Sequence, residues 1–96
     1  VTDEEQQMRA SLKDFTTPRL EVFKLGLRHA RTSDLVFYMA VSKESPLLQV
    51  FNVDAAARRT LPPHEYMAVC ELAKKEIACA VFAVADEIDR RFPVPT

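Results

Sequence analysis

The chain has 96 residues, 48% of them hydrophobic and 28% charged, with a net charge of −1 at pH 7. That is enough for one small core, so residues 1–96 read as a single domain, a segment of a longer protein or a processed chain given its start at Val1. The near-neutral balance excludes the overall positive field of a dedicated nucleic-acid or membrane-surface binder, and the longest apolar run, nine residues from Ile77 to Ala85, falls short of the ~20 that span a bilayer.

Thr2-Asp3-Glu4-Glu5 fits a capping box, with acids at the positive end of a helix. Met8, Leu12 and Phe15 continue it as a narrow apolar stripe, and Pro18 after Thr16-Thr17 disfavours continuation. From Arg19 to Val53 β-branched and aromatic residues accumulate, which predicts three strands. The first runs over Leu20 to His29, with Phe23, Leu25 and Leu27 on one face and Lys24, Gly26 and Arg28 on the other. A turn at Arg31-Thr32-Ser33-Asp34 leads into the apolar run Leu35 to Val41, expected as a central strand. Ser42-Lys43-Glu44-Ser45-Pro46 then reverses the chain into a third strand from Leu47 to Val53. The expected fold is therefore α+β, a three-stranded antiparallel meander between an N-terminal and a long C-terminal helix. An all-α bundle competes with it, because Leu20, Phe23, Leu27 and Ala30 also satisfy helical spacing and Asp54-Ala55-Ala56-Ala57-Arg58-Arg59 favours helix.

Leu61-Pro62-Pro63 sets a helix onset near Pro63, and the pattern runs on to Phe92. Projected at about 100° per residue, Tyr66, Val69, Cys70, Ala73, Ile77, Ala80, Val81, Val84 and Ile88 form one arc, expected to cover the sheet. The opposite face carries Glu71/Lys75, Asp86/Arg90 and Glu87/Arg91, each acid four residues before its base, a solvent pattern. Ala78, Cys79 and Phe82 interrupt that face between Lys75 and Asp86. Either the N-terminal helix or the tail at Phe92 covers this patch, or a partner does. An aromatic among small residues with a charged rim has the composition of a contact anchor, so Lys75, Ala78, Cys79, Phe82 and Asp86 are the candidate partner-binding residues.

Catalytic and metal motifs are not visible. His29 and His64 have no ligand spacing, a single glycine rules out a Gly-rich phosphate cradle, and no serine lies in a nucleophile elbow. Cys70 and Cys79 lie on opposite sides of one helix, about 13 Å apart along it, and read as unpaired packing residues in a reducing, intracellular compartment. Arg19, Lys24, Arg28, Arg31, Arg58 and Arg59 form a possible anion-binding set, diluted by Glu21 and Asp34. A helix, three strands and a helix is also the order in double-stranded RNA-binding domains, but the Gly/Lys-rich helix start expected there is replaced by Thr60-Leu61-Pro62-Pro63-His64-Glu65. The sequence thus points to a non-catalytic interaction module or small subunit of a larger assembly, with no cofactor or metal, meeting a protein partner or a second copy through the exposed face of its long helix. The alternative is a nucleic-acid-binding module using the basic set.

Overall fold

Four helices make up the described part of the chain: α1 (Asp3–Ser11), α2 (Pro18–Leu27), α3 (Thr32–Tyr38) and α4 (Pro63–Arg91). The computed structural model describes residues 3–39, 51 and 59–93. Among these residues there is no strand, so the α+β expectation is corrected to all-α. The first expected strand is α2, and the second is α3 as far as Tyr38. The third falls outside the described residues apart from Phe51, and Thr2 of the expected capping box also lies outside them.

The correction has a local cause. Thr17 has extended backbone (φ −136°, ψ 161°), and its hydroxyl accepts the Leu20 N–H at 3.3 Å while Pro18 occupies the first turn without losing a hydrogen bond. With α2 nucleated there, Leu20 and Leu27 point inward at helical spacing and are 0% and 4% exposed, whereas Val22 and Leu25 are each 70% exposed. Period-two alternation would have buried Leu25 together with Leu27.

α4 is the spine, 29 residues and about 43 Å long. Leu20, Phe51, Cys79 and Ala80 form one buried cluster, joined by Leu12, Phe15, Phe23, Tyr38, Ile77 and Val81. Leu27, Leu35 and Val84 form a second, with Ala30, Ala83 and Ile88 beside it. Phe23 stands between them, its ring edge-on to Tyr38 and to Phe51, with centroids 5.5 Å apart in both pairs. The arc expected to cover a sheet covers short helices instead. Ala73, Ala80 and Val84 are buried, while Tyr66, Val69, Cys70, Ile77, Val81 and Ile88 are half-buried.

Contacts fix the directions. The start of α2 meets Glu76 and its end meets Arg91, so α2 runs parallel to α4. α3 runs antiparallel, with Thr32 at Arg91 and Leu35 packed with Val84. Arg9 reaches Asp86 and Phe82 while Phe15 lies by Lys75, so the N-terminal segment is antiparallel too.

Two carboxylates are buried on the inner stripe of α4, contrary to the solvent role expected of Glu87. Glu76 is 1% exposed and accepts from the Thr17 hydroxyl at 2.5 Å and from Arg19 Nε at 2.7 Å and Nη2 at 2.5 Å. The Arg19 hydrogen bonds hold its carboxyl below the usual range against burial, which acts the other way, and Thr17 adds to the lowering. Arg19 also lies over the Phe51 ring, 5.3 Å from the centroid. Glu87 is gripped by Arg90 and Arg91, with both Nε atoms at 3.0 Å, and Arg90 first, then Arg91, bring its carboxyl down to about 2. Arg91 in turn donates to the Leu27 and Arg28 carbonyls at 3.1 and 3.3 Å, joining the Ala30 N–H that the Leu27 carbonyl already accepts at 3.2 Å. Among the described residues, every buried side-chain nitrogen or oxygen has a partner.

Candidate functional site

The interruption on α4 lies beneath the N-terminal helix. α1 buries none of its own residues and is strongly polar, with Asp3, Glu4 and Glu5 in its first turn. It is held by Arg9, which pairs with Glu5 at 3.3 Å and Asp86 at 3.1 Å and lies over the Phe82 ring at 4.5 Å. Leu12 and Phe15, just beyond its last turn, pack on the core cluster that contains Cys79.

Between α1 and α4 an open cleft of about 170 Å³ remains, lined by Arg9, Leu12, Lys13, Lys24, Cys79, Phe82, Ala83 and Asp86. Cys79 is 8% exposed and belongs to the core cluster of Leu20, Phe51 and Ala80. Burial pushes its thiol up, with the Lys24 charge acting weakly against this. Phe82 and Ala83 are half-buried and Asp86 is exposed. The cleft is thus apolar at its floor and charged at its rim.

Three of the five expected contact residues, Cys79, Phe82 and Asp86, are brought together here. Ala78 is half-buried outside the cleft, and Lys75 stands with its Nζ 6.0 Å from the Phe15 ring. Phe92, the other expected cover, is exposed. The expected charge pairs on α4 are rearranged: Glu71 pairs with Lys74 rather than Lys75, and Asp86 with Arg9 rather than Arg90, while Glu87–Arg91 forms as read.

The six-residue basic set does not gather. Arg19 is committed to Glu76 and Arg31 to Asp34, Arg28 shares an open hollow on α2 with Lys24, Glu21 and His29, Arg59 is exposed elsewhere, and Arg58 lies outside the described residues. Lys24 alone enters the cleft, where Arg9 and Lys13 join it. Those two lie four apart in sequence on the N-terminal segment, the one signal that could have placed them on a shared face. Neither Lys13 nor Lys24 forms an ion pair among the described residues.

Among the described residues no group of His, Cys, Asp and Glu is placed to hold a metal ion, and no helix is long and apolar enough to cross a membrane. Comparison with protein-family models, with curated proteins and with solved structures finds no match.

Proposed function

We propose that the chain is a non-catalytic helical module that binds a protein partner on the α1–α4 face of its long helix, as a small subunit of an assembly. The observation that carries this reading is the open cleft floored by Cys79, Phe82 and Ala83 beside a helix that buries none of its own residues. Its volume of about 170 Å³ is close to the ~150 Å³ that holds a benzene and below the ~300 Å³ at which small-molecule sites begin, so it fits one inserted side chain better than a cofactor. Aromatic floors with polar rims are where interface energy concentrates. Dispersal of Arg19, Arg28, Arg31 and Arg59 removes support from the nucleic-acid alternative.

Affinity capture from cell extract tests this with wild type, Phe82→Ser and the α2 surface variant Leu25→Ser, helicity being checked by circular dichroism. A protein, or a second copy of the chain, retained by wild type and Leu25→Ser but lost with Phe82→Ser is the expected result. Capture insensitive to Phe82→Ser refutes the site.

A further inference from the structure

We propose that the α1–α4 cleft receives an acidic, apolar-flanked segment of the partner, with an Asp or Glu carboxylate met by Lys13 and Lys24 and the neighbouring apolar side chain laid on Phe82. This rests on the reading of the cleft as a protein-docking site and names the chemistry of what docks there.

The argument is one of charge complementarity. Three cations, Arg9, Lys13 and Lys24, line the cleft against one acid, Asp86, and Arg9 is already committed to Asp86 and Glu5. Lys13 and Lys24 are the cations left without a carboxylate among the described residues. Lys24 is half-buried, so part of its hydration is lost with no ion pair in return among the described residues. A carboxylate arriving at the rim restores that balance with charge-assisted hydrogen bonds. The floor of Leu12, Cys79, Phe82 and Ala83 offers an apolar neighbour a place beside it.

The same geometry selects against polyanions. Asp3, Glu4 and Glu5 crowd the first turn of α1, and Asp86 stands at the rim, so a run of phosphates leaving the two lysines toward that end of the cleft would meet acids. One carboxylate at a time satisfies the site.

The test is selection of short random displayed peptides on the intact chain at low salt, followed by amide chemical-shift mapping with the enriched synthetic peptides. Enriched sequences should carry Asp or Glu beside Leu or Phe and shift the amides of Lys13, Lys24, Cys79 and Phe82. Lys13→Glu, at an exposed position, should weaken binding at least about tenfold, and Lys24→Gln several-fold with unchanged helicity. Salt near 1 M, where the Debye length is about 3 Å, should weaken it as well. Peptides that map to the cleft with no acid preference, or that bind Lys13→Glu as well as wild type, overturn the acidic partner while leaving the docking site in place. Enriched peptides that map elsewhere, or no enrichment at all, overturn both.

Discussion

Removing the Glu76 carboxylate is the sharpest test of how this chain holds together. In Glu76→Ala the 1%-exposed site loses its charge, and Arg19 Nε, Arg19 Nη2 and the Thr17 hydroxyl lose their common acceptor. Breaking a buried pair costs about 3–5 kcal/mol when the orphaned charge stays buried. The Arg19 side chain is 42% exposed, so water takes up part of its charge and the expected loss falls to about 2–3 kcal/mol. A chain of 96 residues has about 5–14 kcal/mol in total, so this is a large share, and it lowers Tm by roughly 10–20 °C. Glu76→Gln keeps an acceptor for Thr17 and should cost less, about 1–2 kcal/mol. Urea unfolding followed by circular dichroism measures both, and pH supplies an independent axis. Because the folded-state pKa of Glu76 is depressed below the ordinary 4.5, its contribution is complete above that value and drains away as pH falls through the folded value. The stability difference between wild type and Glu76→Gln should therefore be constant near neutrality and shrink below pH 4.5. A difference that is negligible at pH 7, or unchanged into acid, refutes a buried, arginine-paired carboxylate.

Glu87→Gln should flatten the acid limb further down, since the Glu87 contribution is lost only as pH falls from 4.5 towards about 2. The same change should speed amide exchange near Leu27 to Thr32, where Arg91 is no longer steadied by Glu87. Gly26→Ala should stabilise by about 0.5–1 kcal/mol in the same urea assay, because Gly26 lies inside α2 and an added Cβ meets nothing within 4 Å. Arg9→Ala should raise amide exchange across Asp3–Ser11 while changing global stability by no more than about 1 kcal/mol, as expected of a part-exposed ion pair with a ring contact.

The long helix was legible because Pro62-Pro63 marks its start and 3.6-residue periodicity persists over eight turns. α2 and α3 were not, and the reason differs for each. Leu20, Phe23 and Leu27 carried the helical period, but Val22 and Leu25 lie off that stripe, and Phe23, Leu25 and Leu27 alternate with Lys24, Gly26 and Arg28, so alternation fitted as well. Their exposure, 70% each, is a property of the fold that no local pattern states. In α3, seven residues with Leu35 alone buried give too short a period to tell a helix from a strand. The buried acids were hidden by the i,i+4 rule itself, since Glu87 before Arg91 has the pattern of a solvated pair. A closer projection would have placed Glu76 and Glu87 on the stripe of Ala73, Ala80 and Val84, where an acid demands a buried cation. In the candidate site, Cys79 and Phe82 were visible as an interruption of the charged face, and Asp86 as its border. Arg9 and Lys13 belong to another element, and only its antiparallel path brings them there.

The two buried carboxylates also set where α2 can sit along α4. They are 11 residues apart, about 16.5 Å of rise, and α2 with its 10 residues is about 15 Å long, so each end of the short helix meets one clamp. Leucine against alanine and valine tolerates sliding, for a shift of one turn, about 5.4 Å, exchanges one apolar neighbour for another. The clamps do not. A slipped α2 would strand Glu76 without Arg19 and take the Leu27 carbonyl from Arg91 in the same movement, so both penalties arrive together. The alignment is read at two points like a key with two bits, and only one position satisfies both.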